Sequence, residues 1–184
     1  RYRALYHYSW EGVLFSNPDS AVKLSYVLED FSVEKQMVKY EIYSSLIRAI
    51  SYSVQRKLDS ASKYYKVVLE KSIKHDIKSL ITEGYKGMGD VYGDLGEYQK
   101  SLENYGKALD IAKSENDTIA LASLYNNMAN VYDEQDLKKM ALEYYFKALA
   151  WNEKAEESRS NIARNLMNIS SYYWEVNDFK KALF

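Results

Sequence analysis

Small residues and tyrosines return along this chain in a fixed register, with polar residues filling the positions between them. Ala49, Gly89, Ala129 and Ser170 are separated by 40, 40 and 41 positions, and each is followed three residues later by Tyr52, Tyr92, Tyr132 or Tyr173. A second series, Ala21, Ala61, Ser101, Ala141 and Ala182, keeps the same interval. Tyr65, Tyr105 and Tyr145 follow three of its members by four residues, and Val68, Ala108 and Ala148 close each unit. Steps of three and four put these residues on one face of a helix. Helices approach closely only where side chains are small, so the Ala, Gly and Ser positions predict crossings and the tyrosines predict the filling beside them. A period of this length marks units that cannot bury an apolar face alone and must stack on a neighbour. The pattern therefore predicts an all-α chain of antiparallel helical hairpins forming one domain, 1–184. Its units run over about 1–40 (atypical), 41–80, 81–120, 121–161 and 162–184, the last truncated in mid-unit.

Turn residues fall at matching places. Asp94-Leu95-Gly96, Glu134-Gln135-Asp136 and Val176-Asn177-Asp178 predict the bends within units, and Gly96 and Asn177 suit the left-handed conformation that ends a helix. Lys74-His75-Asp76 and the run from Ser114 to Thr118 predict the bends between units. Asn17-Pro18-Asp19 reads as a helix cap followed by proline in the first turn.

Composition narrows the function classes. With 184 residues, 47% of them hydrophobic, the chain can bury a continuous core. Lys and Arg number 25 against 26 Asp and Glu, which leaves no excess of positive charge for a nucleic acid backbone. No apolar run approaches the roughly 20 residues of a membrane-spanning helix. Zero cysteines excludes disulfides and thiolate sites and leaves the compartment open. His7 and His75 have no ligand-spaced partner, so no metal or other cofactor is predicted. Carboxylates are scattered over faces, without a nucleophile and base set, so no enzyme is predicted. The run from Gly87 to Gly93 lacks phosphate-loop spacing and any preceding strand. Gly84, Gly87 and Gly93 cost about 1 kcal/mol each in a helix relative to alanine, and nothing in the pattern accounts for all three. Asn116-Asp117-Thr118 and Asn168-Ile169-Ser170 fit the glycosylation triplet, which is frequent by chance and is assigned nothing.

These residues resemble the tetratricopeptide repeat, whose pattern sets an aromatic, a Leu-Gly pair and a tyrosine before an alanine and a phenylalanine. The third unit reads Tyr85, Met88-Gly89, Tyr92, Ser101, Tyr105, Ala108, and the fourth reads Tyr125, Met128-Ala129, Tyr132, Ala141, Tyr145, Ala148. The fifth follows with Leu166, Ile169-Ser170, Tyr173 and Ala182. The second departs at Arg48, where leucine is usual, and in the first Ser9 and Ala21 hold the small places while Gly12 and Ser25 replace the aromatics. The family's closing proline is absent, and the interval of 40 exceeds the common 34 by about six residues, roughly 9 Å of helix. In this it looks like the repeats of kinesin light chains, spindle-orientation adaptors, and bacterial peptide-sensing regulators and two-component sensors.

The resemblance implies a right-handed α-solenoid that binds a protein or an extended peptide, with first helices lining the groove. On that geometry the lining would be Glu83, Lys86, Asp90 and Asp94, then Asn126, Asn130, Asp133 and Glu134, then Arg164, Met167, Ser171, Trp174 and Glu175. Tyr125-Asn126-Asn127-Met128-Ala129-Asn130 resembles the asparagine-bearing helices with which relatives hold a peptide, and Asn168 takes the place of Asn127 in the next unit. An amide side chain both donates and accepts, so it can bind main chain without demanding a sequence. The competing reading of this cluster is a solvated helix face. Acidic residues outnumber basic ones among the candidates, which fits a basic or neutral ligand and fits a solvated face better. Tyr6, Trp10, Val13, Leu14, Tyr43, Leu46 and Ile50 offer an apolar lining, for which core packing is the preferred account. The resulting expectation is the sensing or interaction segment of a larger bacterial signalling or regulatory protein. The alternatives are a signal-transmitting module attached to a kinase, phosphatase or DNA-binding domain, and a structural homodimer.

Overall fold

A computed structural model describes residue 6 and residues 14–155 and 159–182. Trp10, Val13, Ser9, Gly12 and His7 lie outside the described residues. Among the described residues there are eight helices and no strand: α1 (Pro18–Glu34), α2 (Val38–Val54), α3 (Leu58–Lys74), α4 (Lys78–Asp94), α5 (Tyr98–Ser114), α6 (Thr118–Glu134), α7 (Lys138–Lys154) and α8 (Arg159–Glu175). None of them is long and apolar enough to cross a membrane.

Every helix has 17 residues, and from α1 to α7 three residues separate each from the next. Half a period is thus one helix and one turn. The middle turn residue is left-handed each time: Gln36, Arg56, Asp76, Gly96, Asn116 and Asp136, with Asn177 after α8. The residue after it donates its N–H back five positions, as Met37 does to Ser32 at 2.8 Å, Lys57 to Tyr52 at 2.9 Å and Glu97 to Tyr92 at 2.8 Å. That bond closes the last turn and satisfies a carbonyl the helix leaves open. Gly96 and Asn177 take the conformation expected of them, whereas Gln36 and Arg56 take it without a side chain suited to it. Asn17 caps α1 by accepting from the Ser20 N–H at 3.1 Å, with Pro18 in the first turn.

The chain forms two compact units, 1–97 and 98–184. In the first, successive helices α1 to α4 pack on one another, and α2 also touches α4. Its core joins Ile42, Leu46, Ala49, Ala61, Tyr65, Val68, Leu80, Met88 and Val91. Leu14, Ala21, Leu28 and Ile47 form a second cluster, with Tyr6 packed against it. Tyr6 lies 4.6 Å from Tyr43 between ring centres, so the described part of the apolar N-terminal lining is packing. In the second unit α5 to α8 pack in order, and α6 to α8 share a cluster of Ala129, Ala141, Tyr145 and Ile169. The small positions do what the register requires, since Ala21, Ala49, Ala61, Ser101, Ala108, Ala129 and Ala148 are wholly buried.

One buried position breaks the pattern. Ser51 holds the place that Val91 and Val131 take in the next two repeats, and its buried hydroxyl has no hydrogen-bond partner. A stranded hydroxyl costs about 1–3 kcal/mol, and valine would bury two methyl groups there instead. Ser51→Val is expected to raise stability by about 1 kcal/mol in a urea melt followed by circular dichroism. An unchanged or lower midpoint would show that the site has no room for the second methyl.

Candidate functional site

In the second unit, amide side chains gather where α6 and α8 approach each other beside α7. Asp117 starts α6 by accepting from the Ala120 N–H at 2.9 Å. Asn126 and Asn127 of α6, Asn152 near the end of α7, and Asn161 and Asn165 of α8 line a cleft of about 210 Å³. Ile119, Ala122, Ser123 and Arg164 complete it.

Three of these amides form a relay. Asn152 Nδ2 donates to Asn165 Oδ1 at 2.6 Å, and Asn165 Nδ2 donates to Asn126 Oδ1 at 2.9 Å. Asn152 and Asn165 are buried, at 6% and 1% exposure. Buried amides must be hydrogen-bonded, and this chain meets the need by passing donors outward. The carbonyl of Asn126 is thereby occupied. Its NH₂ meets no acceptor among the described residues and is left as a donor at the half-exposed end of the relay.

Further along, at the closing ends of α6 and α8, Lys138 of α7 lies 2.9 Å from Asp133 and 3.4 Å from Glu175. The hydrogen bond it donates to Asp133 holds its ammonium above the usual lysine range. Asn168, Ser171, Tyr172 and Tyr145 border a smaller hollow there, of about 70 Å³. Burial pushes the Tyr145 phenol up to about 12, so it stays protonated and donates to Asn130 Oδ1 at 2.8 Å.

The fold thus brings Asn126, Asn127 and Arg164 into one cleft and puts Asn168 and Ser171 at the hollow beyond it. Asn130 is exposed and spends an acceptor on Tyr145. Trp174, 65% exposed, borders instead an open apolar hollow of about 500 Å³ with Met167, Leu166 and Ala182, and its ring meets Phe179 edge-on at 5.0 Å. Lys86 and Asp90 belong to the first unit, where Lys86 pairs with Glu83 at 2.8 Å. The sequence reading missed Asn152, Asn161 and Asn165. A signal for two of them was in the register: Asn165 stands where Leu124 stands one repeat earlier, and Asn152 where Ala112 stands, both buried core places.

Equal helices, equal turns and a polar face across first helices define a helical-repeat protein of the solenoid class. Residues 80–154 match the tetratricopeptide repeat family. No curated protein sequence matches the chain significantly. Among solved structures, it is similar to the apo form of RapI, with 18% identity and a TM-score of 0.79 over 99% of this chain and 66% of RapI. It is similar to aspartyl phosphate phosphatase F from Bacillus subtilis, with 12% identity and a TM-score of 0.74 over 98% of this chain and 55% of that one. A kinesin light chain of nearly identical repeats from Podosopora anserina gives 14% identity and a TM-score of 0.68, over 98% and 87%. The fold is therefore of the tetratricopeptide-like helical solenoid class. This chain spans 66% of RapI and 55% of the phosphatase.

Proposed function

We propose that this chain is a protein-interaction scaffold that holds an extended peptide segment against the amide cleft between α6 and α8. One observation carries the reading: two asparagines occupy buried core places and are hydrogen-bonded so as to present the Asn126 NH₂ in a cleft. Burying two amides where alanine and leucine serve elsewhere gives up apolar packing, and a purely structural role calls for no such exchange. An extended peptide supplies the carbonyl that this donor would bind. The longer relatives RapI and phosphatase F support reading the chain as the interaction segment of a larger regulatory protein.

The test uses the repeat's own alternative residues. Asn165→Leu combined with Asn152→Ala restores the pair that Leu124 and Ala112 provide, so no amide is left buried without a partner while the relay is cut. Titration of the chain with a pool of short, end-blocked peptides is expected to shift the side-chain amide resonances of Asn126 and Asn127, and the variant is expected to lose that response with its circular dichroism intact. If binding occurs with those amides unmoved, the cleft is not the site.

A further inference from the structure

The two ends of the face shared by α6 and α8 differ in charge. Around the Asn126–Asn165 relay the lining holds, among the described residues, one formal charge, Arg164, and no carboxylate. Arg164 is exposed and has no acidic partner among the described residues. At the other end Asp133 and Glu175 share the single Lys138, a net negative charge. The helix ends add to this difference. Ser123 and Arg164 lie in the second turns of α6 and α8, and Asp133 and Glu175 in their last turns. Backbone dipoles make the last turns negative and fade within one turn, so they add to the acidic end at Asp133 and Glu175 and do not bear on Arg164. The relay has the same sense, because its outer end is a donor.

From this asymmetry we infer that the groove takes a peptide segment of mixed charge, with an acidic group at Arg164 and a basic group at Asp133 and Glu175. The inference rests on the amide-cleft reading and adds the ligand's charge order to it. From Arg164 to Glu175 is roughly 16 Å of helix at 1.5 Å per residue. An extended chain covers that distance in about five residues. The ligand is thus a short segment whose opposite charges stand about five residues apart. Of the acidic candidates, those of the second unit, Asp133, Glu134 and Glu175, all lie at one end of this face.

The probes are three end-blocked synthetic peptides of about six residues, the length that sets charges at its two ends five positions apart. One carries Glu at one end and Lys at the other, one carries Glu at both ends, and one carries Lys at both. Each is titrated into the full chain while the Asn126 side-chain amide reports occupancy. The mixed peptide is expected to bind about fivefold more tightly than either of the others at low salt, with the difference shrinking as salt is added. Arg164→Glu is expected to make the Lys-ended peptide the tightest of the three. Equal binding of all three, with Asn126 shifting, overturns the charge order and leaves the amide cleft standing. An unchanged ranking in Arg164→Glu overturns it too. If no peptide moves Asn126, the cleft reading fails and the charge order fails with it.

Discussion

Glu29→Ala is expected to cost about 3 kcal/mol of stability, whereas Arg48→Met, which removes the other half of the same ion pair, is expected to cost little or to stabilise. Arg48 is only 3% exposed and stands where the following repeats place Met88, Met128 and Ile169, all buried. Its guanidinium donates to Glu29 at 2.7 Å and to the Ser44 hydroxyl at 3.0 Å. It lies 4.4 Å from the ring centre of Tyr26 and 4.9 Å from that of Tyr64, whose hydroxyls meet at 3.0 Å. Taking away the carboxylate leaves a cation buried with no countercharge, the expensive way to break such a pair. Taking away the arginine leaves Glu29, 27% exposed, free to turn to water, while methionine fills a place this repeat already builds from methionine. Urea melts of the two variants decide the matter. A Glu29→Ala midpoint equal to that of the parent would mean that the tyrosine rings and Ser44 alone hold the charge.

The second large effect is expected at Gly87. A Cβ added there would stand 2.1 Å from a ring carbon of Tyr65, itself 4% exposed and enclosed by the core of the first unit. A tyrosine ring held on all sides cannot give by that much without displacing its helix. Overpacking of this kind costs about 1–3 kcal/mol, and the alanine's helix preference returns about 1 kcal/mol. At the upper end of that range, Gly87→Ala is expected to lose about 2 kcal/mol net. Gly106 in α5 is the internal control. A Cβ added there would meet nothing within 4 Å, so Gly106→Ala is expected to gain about 1 kcal/mol. Thermal melts that move the two variants in the same direction would show that helix propensity, and not the Tyr65 contact, governs Gly87. At Gly84 the nearest atoms are the branch and tip of Leu69 at 2.8 Å, a side chain able to shift, and the same substitution there is milder.

These positions mark how far the sequence could be read. Gly84 and Gly87 look like faults in a helix because the reason for them lies on α3, in Tyr65 and Leu69. Arg48 reads as a departure from a leucine pattern because its partners, Glu29 and two tyrosines, come from α1 and α3. Asn126 and Asn127 were legible since an amide cluster shows on one face of one helix. Asn152 and Asn165 were hidden because they matter through each other, across a turn and from core places where an apolar residue is the rule.

What the sequence determined by itself is the set of features that repeat locally. Helix length, the turn after each 17 residues and the small and tyrosine positions depend on neighbours a few residues away, and the register copies them along the chain. Gly96 and Asn177 announced two of the left-handed turns for the same reason. The tertiary structure alone decided which residues stand opposite one another, and with that the ring against Gly87, the countercharge of Arg48, the amide relay and the unequal ends of the groove. Side-chain contacts between helices depend on rotation and offset as well as on period, and the period leaves both unstated.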